Sequence, residues 1–279
     1  MFWQCGTKNV DLSDDPLIMG VLNVTPDSFS DGYPSVGAAC RQAERLLEDG
    51  ADIIDVGGES TRPGSEGVST EVELERVLPI ITWLVSKHDV LISVDTQKPE
   101  VARRAVAAGA HIINHVSASL DFESMIPVLQ ESQAGYVAMH MKDRPKIMQR
   151  KAGYDDVNQE VISILGDMGR KLEHAGISAE RVLYDPGIGF GKKLDHNLSL
   201  MRHCPQISQE LKRPILMGLS RKSWLTHFFE DNLEDVNERD LYTIVASLAL
   251  NIPEIAVHRV HNVKWLKRAL TLSSALKKA

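Results

Sequence analysis

A single (β/α)8 TIM barrel, an α/β fold with a short N-terminal lead-in, is the class this sequence predicts, on three observations. Eight short apolar runs alternate with helix-like stretches of about 10 to 20 residues. The chain is 279 residues long, close to the ~250 residues such a barrel occupies as one unit. Nearly every polar residue that interrupts an apolar run does so at its C-terminal end or just beyond. Strand and helix in strict alternation imply parallel strands with covering helices. Eight such units in one chain favour closure over an open sheet.

The first sixteen residues, ending at Pro16, are the expected lead-in, closing the bottom of the barrel. The strands follow as Leu17 to Val24, Ala51 to Gly57, Val90 to Asp95, His111 to Val116, Gly135 to His140, Arg181 to Asp185, Pro214 to Ser220 and Ile255 to His261. Between the second and third, Leu74, Val77, Leu78, Ile81 and Leu84 recur three and four apart, the period of a helix face. Asp49-Gly50 and Ala108-Gly109 stand where helices must stop before the next strand, glycine supplying the left-handed turn. Pro99 falls where a helix start tolerates proline. No linker, low-complexity tract or internal period interrupts the chain, so residues 1–279 are read as one domain.

Composition narrows the function. With 43% apolar and 25% charged residues the chain has material for a full core. A net charge of -7 argues against a large nucleic-acid footprint, which needs a surplus of Lys and Arg on one face. Cys5, Cys40 and Cys204 are widely spaced with no CxxC pair, which points to a reducing compartment. No basic segment followed by an apolar one opens the chain, and the apolar runs are of strand length, short of the ~20 residues a membrane helix needs. A soluble, cytoplasmic protein is expected.

The chemistry is expected at one mouth. Asn23, Asp55, Asp95, Asn114, His140, Asp185, Ser220 and Arg259 all sit at strand C-termini, which in a closed barrel ring a common pocket. For any single strand the alternative, that a polar residue merely marks where the strand stops, stays open; eight together favour the pocket. Period-two alternation turns Arg259 and His261 to one side and His258 to the other, so the HxxH spacing is no metal pair. A guanidinium beside an imidazole suits a phosphate or diphosphate. Ser220-Arg221-Lys222-Ser223 opens a helix after the seventh strand, where free N–H groups and a partial positive charge can receive an anion. Read alone, such a basic turn is more often a solvated face; its position at the barrel mouth favours the anion site. Gly187, Gly189 and Gly191 lack dinucleotide-site spacing and instead let the backbone approach a flat ligand, with Phe190 packing on it. The loops 25–32 and 57–67, rich in Gly, Ser, Thr, Asp and Pro, read as lids.

Eight ordered blocks carry a resemblance: MGVLNVTPDSFSDG from Met19, GGESTRPGS from Gly57, SVDTQKPEVARRA from Ser93, GAHIIN from Gly109, MHMKDRP from Met139, YDPGIGFGKK from Tyr184, GLSRKS from Gly218 and HRVHNV from His258. One per strand and spanning about residues 17 to 267, they resemble the dihydropteroate synthase family. The resemblance implies condensation of 6-hydroxymethyl-7,8-dihydropterin diphosphate with 4-aminobenzoate to dihydropteroate and pyrophosphate, with Mg2+ and a homodimer formed through barrel helices. Asp95, Asn114, Asp185 and Lys222 match the residues that hold the pterin. Asn23 matches the magnesium ligand, and with Arg62, Arg259 and His261 it matches the diphosphate site. Phe29, Thr61, Pro63, Phe190 and Ser223 match the 4-aminobenzoate pocket. Asp31 matches a carboxylate facing the cationic methylene, giving Asp31, Arg62, Lys222, Arg259 and His261 as catalytic residues.

Departures from the family pattern are His115 and Asn262 where Asp is usual, Lys142-Asp143 where Gln-Gly is usual, and Tyr242 where Gly is usual. Three rival readings are weighed; one, a generic sugar-phosphate aldolase or isomerase, would need a Schiff-base lysine or an isolated base, whereas Lys222 sits in a cationic turn. Methyltetrahydrofolate-binding methyltransferases share the barrel and the acids but should lack the SRKS turn and STRPG loop, both present here. A binding or regulatory relative without turnover has only the departures for support.

Overall fold

Period-two alternation along the strands divides the apolar residues between two cores. The computed structural model describes residues 1–13, 15–25, 36–60, 65, 67–143, 153–229 and 233–278. A hairpin of β1 (Phe2–Cys5) and β2 (Lys8–Asp11) precedes eight parallel strands: β3 (Leu17–Asn23), β4 (Ile53–Gly57), β5 (Leu91–Asp95), β6 (Ile112–His115), β7 (Gly135–Met139), β8 (Val182–Asp185), β9 (Ile215–Met217) and β10 (Ile255–Val260). These close in the order β10-β3-β4-β5-β6-β7-β8-β9. Around them run α1 (Val36–Glu48), α2 (Thr70–Lys87), α3 (Pro99–Ala107), α4 (Ala118–Asp121), α5 (Ile126–Glu131), α6 (Val157–His174), α7 (Leu194–Arg202), α8 (Cys204–Leu211), α9 (Val236–Ala249) and α10 (Val263–Lys278).

Outward residues such as Ile18, Ile54, Ile92, Ile113, Tyr136 and Val182 join the helix faces, including Val77, Ile81 and Leu84 of α2, in one core. Inward residues Met19, Ile53, Leu91, Ile112, Val137, Leu183, Leu216 and Val257 fill the barrel's lower half together with Trp3 and Cys5 of the hairpin. The expected lead-in thus plugs the bottom: Trp3 is fully buried, and its Nε1 donates to the Arg181 carbonyl at 2.9 Å. A polar layer therefore has room only at the opposite, C-terminal rim.

Every predicted run contains its strand, and seven of the eight agree to within two residues at either end. The seventh stops early, at Met217, because past it the backbone turns away from the ladder and the Leu219 carbonyl takes the Trp224 indole N–H at 3.3 Å. Gly50 and Gly109, just past α1 and α3, have the expected positive φ of 96° and 107°, and α3 starts at Pro99.

His115, one of the departures, points outward behind the mouth. It is fully buried, its Nδ1 2.7 Å from the Tyr136 hydroxyl and its Nε2 3.1 Å from Ser117 Oγ, which donates to Asp121 Oδ1 at 2.9 Å. The imidazole thus links β6, β7 and α4 through satisfied polar contacts. His115→Ala strands the buried Tyr136 hydroxyl and is expected to cost about 2 kcal/mol, an unsatisfied-group penalty, read as a lower urea midpoint. An unchanged midpoint would show the chain of contacts to be energetically idle.

Candidate active site

Strand register builds the rim. Asn23 pairs with Gly57, Gly57 with Asp95 and Asp95 with Asn114, while Met139 pairs with Asp185 across the barrel. Asp55, two residues before Gly57, faces inward one layer below. From the opposite side of β3, Arg259 reaches over: its Nε donates to Asp55 Oδ2 at 2.6 Å and its Nη2 to Asp95 Oδ2 at 2.7 Å. Asn114 Nδ2 also donates to Asp55 Oδ2, at 3.1 Å. The other oxygens, Asp55 Oδ1 and Asp95 Oδ1, are buried without a hydrogen-bond partner among the described residues. Burial pushes Asp95 up to about 7, against the pull of Arg259 and with help from Asp55, Glu73 and Glu59. Burial disfavours the charge on Arg259, yet Asp55 and Asp95 hold its guanidinium above its ordinary value.

The glycine loop after β8 forms the facing wall. Asp185 Oδ1 accepts the Gly187 N–H at 2.7 Å. Gly187 has φ +70°, and a Cβ there would lie 1.9 Å from the His140 carbonyl oxygen, so only glycine lets the loop approach β7 this closely. Lys222 Nζ donates to the Ile188 carbonyl at 2.6 Å and lies 4.6 Å from the centre of the Phe190 ring. Burial pulls Lys222 down to about 8, opposed by Asp185, and raises Asp185, opposed chiefly by Lys222. Phe190 packs on the buried Val116, Met139 and Met141. The mouth thus pairs an apolar wall with an edge of two acids, an amide and an ammonium, a surface shaped for a flat heterocycle with donors and acceptors around its rim.

Asn23 is half-buried at the end of β3, its Oδ1 3.5 Å from where a Cβ on Gly57 would stand. One neutral amide oxygen suits a hard cation that takes its remaining ligands from water and phosphate oxygens. No group of three or more His, Cys, Asp and Glu able to hold a metal occurs among the described residues. Thiol chemistry has no support here, since burial raises both Cys5 and Cys204 and so disfavours a thiolate.

The model of the family described as "Pterin binding enzyme" matches residues 19–261. The chain belongs to the pterin binding enzymes. It is 40% identical over 269 residues to dihydropteroate synthase of Escherichia coli strain K12, covering 96% of this chain and 93% of that one. Its fold matches the Xanthomonas albilineans dihydropteroate synthase solved with 4-aminobenzoic acid at a TM-score of 0.89 and 40% identity, over 99% of this chain and 98% of that one. A second Xanthomonas albilineans structure, in complex with 7,8-dihydropteroate, superposes at a TM-score of 0.85 with 36% identity, over 100% and 99% of the two chains.

Of the residues expected at a pterin binding enzyme's site, the structure gathers Asp95, Asn114, Asp185 and Lys222 at the mouth, with Phe190 beside them. Arg259 is engaged by Asp55 and Asp95, and His261 Nδ1 is 2.9 Å from Ser220 Oγ. Phe29, Asp31, Thr61, Arg62 and Pro63 lie outside the described residues. Ser223 opens a helix as expected, but a 3-10 helix over Ser223–Phe228, not an α-helix, with Trp224 and Leu225 buried. Lys142, a departure, lies over the Tyr154 ring at 3.9 Å and reaches Glu160 at 3.4 Å, tying the end of β7 to α6.

Sequence reasoning missed Lys192. It is buried, and its Nζ lies 2.9 Å from His140 Nδ1, 3.0 Å from the Gly187 carbonyl and 3.1 Å from that of Phe190. Burial lowers it to about 7, opposed by Asp185. It fastens the glycine loop from behind. Asp55 was recognised at the rim but not as a partner of Arg259.

Proposed function

We propose that this chain condenses 6-hydroxymethyl-7,8-dihydropterin diphosphate with 4-aminobenzoate, giving 7,8-dihydropteroate and pyrophosphate. The observation that carries this is the pair of buried carboxylates, each with one unpartnered oxygen, set beside Asn114, Asp185 and Lys222 against the Val116, Met139, Met141 and Phe190 wall. The similarity to dihydropteroate synthases, one solved with 4-aminobenzoic acid and one with 7,8-dihydropteroate, supports the same substrates.

In this reading Asp95, Asn114 and Asp185 accept or exchange hydrogen bonds with the pterin edge while Lys222 donates to it. Asn23, Arg62, Arg259 and His261 gather the diphosphate. Asn23 would hold Mg2+, which when bound supplies positive charge to the leaving oxygens. The C–O bond at the pterin methylene breaks, pyrophosphate leaves with the electron pair, and Asp31 faces the cation left behind. The aniline nitrogen then forms the C–N bond and sheds a proton. The resemblance assigns Phe29, Thr61 and Pro63, with Phe190, to the benzoate ring and Ser223 to its carboxylate. Catalysis is electrostatic and positional, with no covalent enzyme intermediate. The test is direct: the purified chain, given both substrates and Mg2+, should release pyrophosphate and form dihydropteroate, and no product under these conditions would refute the assignment.

The titrations shape the pH profile. Asp95 must be ionised to accept pterin N–H groups, so kcat/KM should rise through about pH 7; Lys222 must keep its proton, so kcat/KM should fall above about pH 8. Initial rates across this range should give a bell, and Asp95→Asn should remove its acid limb. A flat profile is the contrary result.

A homodimer is proposed through α9 and α10, which pack together and expose Leu241 and Val245 on one, Trp265, Leu272 and Leu276 on the other. Light scattering should show a dimer, with Leu272→Glu and Leu276→Glu together giving a monomer; a monomeric wild type contradicts this. No described helix is long and apolar enough to cross a membrane. A cytoplasmic location is proposed on the free thiols of Cys5, Cys40 and Cys204, and a disulfide in freshly isolated protein would argue against it.

A further inference from the structure

Two departures from the family pattern, Tyr242 and Asn262, meet at one place, where α9 packs against the turn that carries Lys222 and Ser223. Arg221, in that turn, has φ +59°, a left-handed conformation that a long side chain rarely adopts without support. The support comes from α9. Arg221 Nε and Nη2 donate to Asp240 Oδ1 and Oδ2 at 2.7 and 2.8 Å, a bidentate pair. The Arg221 backbone N–H donates to Thr243 Oγ1 at 3.3 Å. Tyr242 stacks on Phe229, just past the 3-10 helix that the turn leads into, with ring centres 4.2 Å apart.

Asp240 is buried, and its Oδ2 accepts a second hydrogen bond, from Asn262 Nδ2 at 3.2 Å. Asn262 Oδ1 in turn accepts the Trp265 backbone N–H at 3.1 Å, at the start of α10. An aspartate at 262 would set two carboxylates within hydrogen-bond distance of each other, with no donor from 262 to Asp240 Oδ2. The amide removes that repulsion and supplies a donor.

We propose that Asp240 is a positioning residue for the condensation: through Arg221 it holds the strained turn so that Lys222 and Ser223 face the two substrates, with the Asn262 amide donating to its second oxygen. This rests on the reading of the mouth as the pterin and 4-aminobenzoate site. Asp240→Asn keeps the shape and removes the charge. It is expected to lower kcat/KM by about 30-fold, mostly through higher KM for both substrates, as the turn loosens by a fraction of an ångström. Adding Asn262→Asp places a carboxylate beside position 240, within reach of Arg221, and should bring kcat/KM back to within about threefold of wild type, a coupling that independent sites would not show.

The experiment is steady-state kinetics on wild type, Asp240→Asn, Asn262→Asp and the double variant, with thermal unfolding of each. An inactive wild type overturns the reading of the mouth and this inference with it. An active wild type with Asp240→Asn unchanged, or with the double variant as impaired as Asp240→Asn, overturns the positioning role alone. Recovery in the double variant supports it even if Asp240→Asn by itself folds poorly.

Discussion

Lys222→Ala is expected to lower kcat/KM for pyrophosphate release by at least ~100-fold, the scale of losing one preorganised electrostatic contact. Three roles converge on this ammonium. In the proposed reading it donates to the pterin edge; it also holds the Ile188 carbonyl at 2.6 Å and is the main counter-charge to the buried Asp185. Removing it lets Asp185 drift further toward its neutral form, so one substitution silences two hydrogen-bonding groups on the substrate. Asp185→Asn should show a loss of the same order for the converse reason, since Asp185 is what keeps Lys222 from losing its proton more readily still. Arginine is not an equivalent: Gly189 packs so closely on the Lys222 stem that even a Cβ there would stand 3.1 Å from Lys222 Cδ, and a planar fork cannot reproduce the single point-charge donor to the Ile188 carbonyl. Lys222→Arg should therefore stay within about tenfold of the alanine variant. Turnover by Lys222→Ala within about tenfold of wild type would remove Lys222 from the site.

How much of this was legible beforehand depended on whether the signal was local. The strands were readable because inward and outward residues alternate: Ile53, Asp55 and Gly57 face one core and Ile54 and Val56 the other. The rim was readable because polar residues such as Asp95, Asn114 and Asp185 end otherwise apolar runs. What could not be read was which partner each rim residue takes. Arg259 meets Asp55 and Asp95 across separations of 204 and 164 positions, and no spacing rule reaches that far. Lys192 and Lys193 are adjacent and chemically identical, yet only the first is buried, a distinction set by the loop's path against β7. Asn262 likewise looked like a lost charge until Asp240 was found beside it.

Arg259→Met is expected to destabilise the protein by about 3–5 kcal/mol above neutral pH, the cost of breaking a buried ion pair from one side, and to abolish detectable turnover. The guanidinium is the counter-charge for both Asp55 and Asp95, and methionine keeps its bulk while leaving those carboxylates facing each other. The loss should depend on pH in a definite direction. Burial already raises Asp95 to about 7, and Arg259 is the main influence lowering it; without Arg259 its value goes higher. A carboxyl whose folded pKa is raised binds its proton more tightly in the folded than in the unfolded chain, so its contribution to stability is present in acid and is lost as pH rises through the folded value. The deficit of Arg259→Met relative to wild type should therefore shrink toward about pH 5, where Asp95 is neutral in the folded state, and widen toward about pH 9. Denaturant midpoints of both proteins across that range decide the matter. A deficit independent of pH would mean that Arg259 contributes packing rather than charge, and that the two acids are not held against each other by the guanidinium at all.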